Sequence, residues 1–437
     1  MPAIKMLSLR ALTLPLCAWT GLACGSGTTD GAAGAGRFDG PFLDYPGAER
    51  ANFGLAAPDG SAYFAAGAYK AEAGHYEELF VLKLSAAFEV ERAFADEGVY
   101  RRSFAAEAEI AAEVKAAALD DGGRLYLCAS LNAINGARDQ VLVVRLDQAG
   151  AQDPQFGADG ELRLDDRACK DLVVTSGGEV LVLAESSGGT EVGFHYLYAF
   201  DADGALRDDF GDAGHVTLNI DADKLLVTDD AIYPLGAHRD AIAFPRYSHA
   251  GRLDASFGNQ DSLSPWRYMA TATPIQDATE VRAFIVDEDG VVRIGAHTAP
   301  STSGFHRDWG IVRFQEINDS YVSDEFLDYR FTATRNVLHD LVRWRDGGYL
   351  AAGQSYEDNH KSAYVLALTS DGQVDHELGH EGGFELSFSG TTSHSEIVAL
   401  WPDGDAYRLL GNVQTLGSNL GDPSRIVLQR FDPLALP

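Results

Sequence analysis

One short stretch of the sequence carries the residue types of a zinc-dependent hydrolase. His376, Glu377 and His380 fit the H-E-x-x-H pattern, in which two histidines bind the metal and the glutamate activates a bound water. This chemistry requires a helix, because a helical turn brings residues four positions apart onto one face. Gly379 lies inside the stretch and Gly382 follows it, and glycine is a poor helix former. We therefore expect a turn here, with a metal-dependent hydrolase as the alternative hypothesis.

Aspartate clusters are a second candidate site, because carboxylate oxygens are ligands that calcium prefers. Two segments carry them, and the residues concerned are Asp201, Asp203, Asp208, Asp209, Asp287 and Asp289. Neither segment has the full calcium-binding loop that ends in glutamate. Aspartate is also a frequent turn residue, since its side chain accepts hydrogen bonds from nearby backbone. The sequence thus predicts turns in both segments, leaves calcium as the alternative and indicates no other cofactor.

A third candidate is a binding face made of aromatic and histidine side chains. The residues that mark it are Tyr76, His195, His306, Trp309, Tyr356 and His360. They lie in or beside the polar segments that vary most along the chain, and loops displayed by a rigid scaffold often carry binding residues. The simpler interpretation is that these side chains cover the ends of strands. No Ser/His/Asp set stands out, so no catalytic residue is predicted.

The elements that must position these residues are sequence repeats. Residues 251–258 read Gly-Arg-Leu-Asp-Ala-Ser-Phe-Gly, and related copies occur at 150–157, 203–211 and 371–379. A second landmark, usually Asp-Gly between two apolar runs, begins at residues 59, 121, 176, 229, 289, 346 and 403. Short apolar runs separated by Gly, Asp and Asn predict strands. Four strands in each of seven repeats predict an all-β fold, a seven-bladed β-propeller with four-stranded blades.

The two ends of the repeat region predict how the ring closes. Residues 37–45 resemble a corner and a strand with no unit before them, and residues 426–431 form a last strand with no corner after it. Pairing the N-terminal strand into the last blade completes the seventh unit and removes an open sheet edge. The Ala- and Glu-rich stretch 105–118 is the one candidate for a helical turn.

The corner pattern Gly-x-Leu-Asp-x-x-Phe-Gly, with its upstream Asp-Gly turn, resembles the delta-60 repeat of bacterial exported proteins. The resemblance covers residues 38–437 and is best in the third and fourth repeats. It implies a propeller-type fold and a location outside the cytoplasm. The family carries no known catalytic set, so the resemblance implies no site residues.

The N-terminal segment predicts export. In residues 1–23, Lys5 and Arg10 accompany an apolar run that is too short to span a membrane. Ala23 precedes Cys24, which resembles a bacterial lipoprotein signal in which Cys24 is lipidated and becomes the new N-terminus. An ordinary secretory signal peptide is the alternative.

The rest of the chain divides into a tether and one domain. Gly25 implies, by the same resemblance, an outer-membrane or cell-surface location. Residues 24–37 are rich in Gly, Ser, Thr and Ala and predict a flexible tether, and residues 38–437 form the propeller domain. Cys128 and Cys169 lie in successive repeats, and an exported pair can form a disulfide if neighbouring repeats present them face to face. Two buried free thiols are the alternative.

Composition limits the partners. The chain has 437 residues, of which 46% are hydrophobic, enough for a large core. Its formal net charge of −31 argues against nucleic acid or an anionic lipid surface, because both would be repelled. We expect a monomer that contacts the membrane through its lipid anchor only and acts as a binding or scaffold module. Its ligand would be a protein or a polysaccharide, bound by the variable loops or the central channel.

Overall fold

Each sequence repeat folds into one small antiparallel sheet. The structure is a computed structural model and describes residues 37–38, 49–70, 75–87, 89–104, 110–133, 139–187, 193–238, 241–258, 269–272, 278–287, 289–298, 308–317, 320–329, 336–357, 360–379, 382–386, 393–404, 406–415 and 425–434. Within these ranges there are seven sheets of four strands and no α-helix. No helix of the described chain has the length and apolar character needed to cross a membrane. The predicted seven-bladed β-propeller is confirmed.

The strands follow the repeats in order. After β1 (Arg37–Phe38), blades 1 and 2 contain β2 (Glu49–Ala56), β3 (Ala62–Lys70), β4 (His75–Leu84), β5 (Val99–Ser103), β6 (Ile110–Leu119), β7 (Leu125–Ala133), β8 (Gln140–Leu146) and β9 (Glu161–Asp165). Blades 3 and 4 contain β10 (Arg167–Val174), β11 (Val180–Ser186), β12 (His195–Phe200), β13 (His215–Leu218), β14 (Asp221–Val227), β15 (Ile232–His238), β16 (Ala241–Pro245) and β17 (Met269–Ala272). Blades 5 and 6 contain β18 (Ala278–Val286), β19 (Val292–Thr298), β20 (Asp308–Ile317), β21 (Ser320–Tyr329), β22 (Val337–Arg343), β23 (Tyr349–Glu357), β24 (His360–Leu368) and β25 (Gly383–Leu386). Blade 7 contains β26 (Ser393–Asp403), β27 (Ala406–Thr415), β28 (Arg425–Phe431) and β1.

The first strands of the blades stand side by side around the central channel. β2, β6, β10, β14, β18, β22 and β26 each contact the next, and β26 contacts β2. β1 completes blade 7, because Arg37 pairs with Gln429 and Phe38 with Leu428 of β28. The predicted closure of the ring by the N-terminal strand is therefore confirmed, and blade 7 is as complete as the others.

Apolar side chains fill the seams between blades. Seven clusters of buried hydrophobic residues are present in the described chain, and each draws on two adjacent blades. At one seam, Tyr126 and Phe156 of blade 2 join Tyr198 of blade 3. A single repeat cannot bury its faces alone, so the blades are stable only when they stack on each other.

The repeated sequence motif forms the corner between the third and fourth strands of a blade. In blade 4, Asp254 Oδ1 accepts the amide of Ser256 at 2.8 Å, and Phe257 is fully buried. The Arg246 guanidinium binds Asp254 at 2.6 Å and lies 4.7 Å above the Phe257 ring. Blade 2 repeats this arrangement with Arg145, Asp153 and Phe156. The acidic residue and the phenylalanine of the motif therefore shape the corner.

Corners also join neighbouring blades through backbone hydrogen bonds. The Gly157 N–H of blade 2 donates to Asp203 O of blade 3 at 2.8 Å, and Gly211 N–H donates to Ala250 O of blade 4 at 3.0 Å. Gly204 follows the first acceptor at a φ of +82°, and a Cβ there would lie 2.8 Å from the Gly157 nitrogen. Gly204, which belongs to the corner motif of blade 3, is thus required by the close approach of two blades.

One local expectation was wrong. The stretch 105–118 was the candidate for a helical turn, but residues 110–119 form β6, and residues 105–109 lie outside the described chain. Ala112, Val114 and Ala116 are buried and alternate with more exposed residues. This period of two places one side of the strand against the core, and packing overrides the helix propensity of Ala and Glu.

Candidate functional site

The motif that resembles a zinc site lies in a corner of blade 6. Its described part forms a turn between β24 and β25, in which Asp375 Oδ1 accepts the amide of Glu377 at 3.1 Å. Gly379 has a φ of +56°. His376 and Glu377 are exposed, and His380 lies outside the described residues. No group of three His, Cys, Asp or Glu side chains in the described chain is arranged to hold a metal ion.

The first aspartate segment has turn chemistry. Asp201 Oδ1 accepts the amides of Asp203 and Ala205 at 3.0 and 2.9 Å. Asp209 pairs at 3.0 Å with the guanidinium two residues before it, and Asp208 is exposed. Hydrogen bonds within the turn and an arginine therefore account for the positions of the Asp201 and Asp209 carboxylates.

The second aspartate segment is held by cations. Asp287 binds the guanidinium groups of Arg293 and Arg343, the latter at 3.3 Å, and accepts the Tyr349 hydroxyl at 2.8 Å. Asp289 accepts the amide two residues after it at 3.4 Å. These contacts fasten the turn at the end of β18 to blade 6.

Two members of the predicted binding face have described side chains, and both are buried. His195 begins β12 and donates from Nδ1 to Ala222 O of blade 4 at 2.8 Å. Trp309 lies in β20 and is 0% exposed, within the core between blades 5 and 6. Both residues were expected at exposed loops. They are strand residues instead, because the hairpin strands extend further than the polar sequence indicated.

The side chains of the other four members of the predicted binding face lie outside the described set. Tyr76, Tyr356 and His360 belong to β4, β23 and β24, and their side chains are outside the described set, as is the whole of His306. Phe194, next to His195, is 48% exposed at the end of its loop.

Cys128 and Cys169 form a disulfide between blades 2 and 3. Their Cα atoms lie 6.2 Å apart, and both side chains are buried. Ser130 Oγ accepts the Cys169 amide at 2.9 Å beside the bond. The sequence allowed either a disulfide or two buried free thiols, and the structure contains the disulfide.

The two ends of the central channel differ in what surrounds them. Antiparallel pairing places the start of each first strand beside the end of the second strand, as Arg167 with Ser186 and Val337 with Gln354. The ends of the second strands, from which the variable segments lead to the third strands, therefore lie at the end where the first strands begin. We call this end the mouth. The Asp-Gly turns and the corners lie at the opposite end.

Every first strand places at least one ionisable side chain near the mouth. We define the mouth ring as Arg50, Glu113, Lys115, Lys170, Asp223, Glu280, Arg282, His339 and Glu396. All seven first strands contain a β-bulge near this end. Five members of the mouth ring are the extra residue of such a bulge, and a bulge changes the direction of a side chain.

Ion pairs connect neighbouring blades around the mouth. Arg50 Nη2 lies 3.3 Å from Glu396 Oε1 across the seam between blades 7 and 1. Lys170 Nζ lies 3.4 Å from Asp223 Oδ1 across the seam between blades 3 and 4, and 3.0 Å from Glu185 Oε2. Each carboxylate of these pairs thus has a cation beside it, which offsets the cost of burying its charge.

Several cations act on Glu280 in blade 5. Burial acts to raise the pKa of Glu280, but His297, Arg282 and Lys170 of blade 3 together lower it to about 2. Glu280 is therefore ionised at neutral pH.

Two mouth-ring residues have a pKa moved toward the neutral form. Burial raises the pKa of Asp223 to about 6, with Glu280 adding to the shift and Lys170 opposing it. Burial lowers the pKa of His339 to about 4, with Arg282 adding to the shift and Glu396 opposing it. At neutral pH the His339 imidazole is therefore uncharged.

A second layer of charge lies just below the mouth ring. Asp171 Oδ2 accepts the Leu225 amide at 2.8 Å, and Asp340 Oδ2 accepts the Leu400 amide at 2.7 Å. Each carboxylate thus binds the first strand of the following blade. Burial raises the pKa of both, that of Asp340 to about 6, while Lys224 acts to lower both.

Second strands contribute a further set of polar links between blades. Asn412, Ser130 and His297 occupy one equivalent position, and each accepts an amide of the next first strand, at 2.9, 2.9 and 3.0 Å. Gln354 occupies the same position in blade 6, opposite Val337. The mouth is therefore built from three sets of polar side chains on the first and second strands.

Sequence reasoning missed the mouth ring. Its members are separated by about one repeat, so no local motif joins them. The signal that could have found it is a charged residue inside each otherwise apolar first strand, as Lys170 beside Cys169 or His339 beside Leu338. Strands that are buried on both faces read as continuous apolar runs, so such interruptions require an explanation.

Comparisons with known proteins identify no family. No family model and no curated protein matches the chain. A protein of unknown function from Dyadobacter fermentans is similar in structure at 9% identity, with a TM-score of 0.44, over 88% of this chain and 95% of that one. The K499G mutant of NanB sialidase from Streptococcus pneumoniae is similar at 10% identity and a TM-score of 0.44, over 97% and 72%. An ulvan lyase of polysaccharide lyase family PL25 matches at 11% identity and 0.44, over 86% and 91%. Similarity at this level carries no argument about the activity of this chain.

Proposed function

We propose that this protein is a binding module that holds a cell-surface polysaccharide over the mouth of its propeller. The observation that carries the proposal is the mouth ring, to which all seven first strands contribute. Charged groups are costly to bury, and apolar residues would serve the seams equally well. Their collection at the end where the variable segments leave the second strands supports ligand binding as their role.

The chemistry of the mouth favours a polysaccharide over a protein. Carboxylates, guanidinium groups, amines and one imidazole are interspersed around the ring, so donors and acceptors are offered side by side to hydroxyl groups. Phe194, which is 48% exposed beside blade 3, adds an apolar surface on which a sugar ring can stack. A protein partner is the other outcome of the test below.

Two double variants, each of which neutralises both partners of one ion pair, test the site. Glu113 and Lys115 form a partly exposed pair at 2.7 Å in the mouth, and Arg92 and Glu97 form an exposed pair at 3.1 Å at the opposite end. Exposed pairs contribute little stability, so replacing both partners by Gln in either pair preserves the fold and the net charge. We expect the mouth double variant, but not the other, to weaken polymer binding about tenfold.

Binding is measured by biolayer interferometry with residues 25–437 against dextran, mannan, alginate, chitosan and a basic protein such as lysozyme. Polysaccharide binding that is lost in the mouth variant and in Phe194→Ala supports the proposal. Binding to the basic protein alone would replace the polysaccharide by a protein ligand. Equal losses in both double variants, or no binding to any probe at millimolar concentration, would contradict the proposed site.

We also propose that the module is held at a bacterial outer membrane or cell surface by lipid on Cys24. The basis is the signal-like segment that ends at this residue. Labelling with an alkyne fatty acid should mark the wild type and leave Cys24→Ser unlabelled and released from the membrane fraction. Equal labelling of both proteins would overturn the anchor.

A further inference from the structure

Arg282 Nε, His339 Nε2 and Gln354 Oε1, at the mouth end of blades 5 and 6, are three of the twelve buried side-chain nitrogen and oxygen atoms that have no hydrogen-bond partner in the described chain. Native proteins leave few such atoms, because an unpaired buried donor or acceptor costs free energy. The concentration of three in adjacent blades therefore requires an explanation.

Equivalent positions in other blades are satisfied. Lys115 and Lys170 occupy the same bulge position as Arg282 and bind carboxylates at 2.7 and 3.0 Å. Asn412, which is equivalent to Gln354, binds both the amide and the carbonyl of Ala51 at 2.9 Å. At the equivalent positions compared, the open hydrogen-bonding capacity is thus specific to blades 5 and 6.

The three groups belong to one corner of the mouth. Arg282 and His339 are the bulge residues of adjacent first strands. Gln354 lies on the second strand of the same blade as His339, opposite Val337, and is 8% exposed. Arg282 also binds Glu280 through Nη2 at 3.0 Å, which leaves its Nε–H to point elsewhere.

The three atoms have the donor and acceptor chemistry that binds two adjacent hydroxyl groups. The Arg282 Nε–H is a donor, the Gln354 Oε1 is an acceptor, and a neutral imidazole nitrogen of His339 can be either, according to its tautomer. A sugar hydroxyl donates and accepts at once, so two adjacent hydroxyls can satisfy all three. The carboxylates of Glu280 and Glu396 lie nearby and disfavour an anionic sugar.

We infer that Arg282, His339 and Gln354 form a subsite for one neutral sugar residue with adjacent free hydroxyls. The inference rests on the proposed function and names the class of ligand at its site. About 32% of the Arg282 side chain is exposed. Because the three atoms are buried, binding requires this side chain to move.

The test uses residues 25–437 with mannan and dextran as neutral probes and alginate as the anionic one. Arg282→Lys keeps the charge and removes the fixed Nε donor, and Gln354→Met keeps the volume and removes the acceptor. Gln148→Met, at the opposite end of the propeller, is the matched control. We expect at least tenfold weaker binding of a neutral polymer in both subsite variants and unchanged binding in the control.

A second measurement does not depend on the ligand. Because Gln354 Oε1 has no partner in the free protein, Gln354→Met should leave the melting temperature equal to or above that of the wild type. A fall of several degrees, while Gln148→Met is unaffected, would overturn the inference by showing that the amide is structurally bonded. Binding of a polymer that neither subsite variant weakens, or tighter binding of alginate, would also overturn it. Failure of the wild type to bind any polymer would instead contradict the proposed function.

Discussion

At the scale of single residues, buried aspartates act as acceptors between blades. Asp171, Asp223 and Asp340 each accept an amide of the following first strand, at 2.8, 2.9 and 2.7 Å. An ionised carboxylate is a strong acceptor, but burial disfavours its charge. The desolvation is the larger effect for all three, because the pKa of each is raised.

Asp340 gives a pH-dependent prediction. Its folded pKa of about 6 exceeds the ordinary 3.8, so the folded protein binds this proton more tightly than the unfolded chain. The stability from this group is fully present below pH 3.8 and is lost as the pH rises through 6. We expect the unfolding free energy of the wild type, relative to Asp340→Asn, to increase by up to about 3 kcal/mol from pH 7 to pH 4.

Urea denaturation of both proteins at each pH measures this difference. Asp208→Asn, which removes one carboxylate from an exposed position, is measured alongside as the control. A wild-type advantage over Asp340→Asn that is constant, or that shrinks toward pH 4, would mean that Asp340 is not the buried acceptor described above.

At the scale of elements, a glycine of the corner motif contacts the corner of the preceding blade at three seams. Gly150, Gly204 and Gly251 lie at equivalent places with φ of +81°, +82° and +71°, each against the corner of the preceding blade. At these three seams the motif therefore requires glycine. The same argument explains why a corner that happens to read H-E-x-x-H is a turn.

Gly204→Ala tests the contact against Gly193→Ala. Gly193 has a φ of +84°, and no atom lies within 4 Å of the position that a Cβ would occupy, so its substitution reports the backbone strain alone. That strain costs about 1 kcal/mol. In Gly204→Ala the Cβ would also lie 2.8 Å from the Gly157 nitrogen, so we expect a further loss of about 1–3 kcal/mol. Equal unfolding free energies for the two variants, measured in urea, would rule out a tight seam.

At the scale of the whole molecule, stability depends on a closed ring. The seams are similar apolar contacts, so no blade is independent of its neighbours. The disulfide between Cys128 and Cys169 links blades 2 and 3, and β1 supplies the fourth strand of blade 7. Without β1, one side of β28 would be an open edge with unpaired amides and carbonyls.

Ring closure can be tested with two shortened chains that begin at different residues. A chain that begins at residue 36 keeps β1, and one that begins at residue 39 lacks it. We expect the shorter chain to lose about 1–2 kcal/mol of stability, from the lost strand pairing, and to self-associate through β28. Light scattering and urea denaturation report both effects. Identical behaviour of the two chains would show that the pairing of Arg37 and Phe38 contributes nothing to closure.

The sequence by itself determined the architecture, because the information is local and repeated. Period-two apolar runs, Asp-Gly turns and the Phe-Gly corner specify each blade, and their number specifies the ring. Alignment of the corners also predicted that His376 and Glu377 lie in a turn. The incomplete first and last units predicted the closure of blade 7.

The tertiary structure alone decided where the polar side chains meet. Arg50, Lys170 and Glu280 are distant in sequence, and they converge because the ring brings every first strand to one axis. A bulge and a one-residue change of register decide whether a strand residue faces the channel or a seam, and neither can be read from one strand. For the same reason the mouth ring could not be predicted from local sequence. Trp309 and His195 are buried because the hairpin strands extend further than the polar sequence indicated.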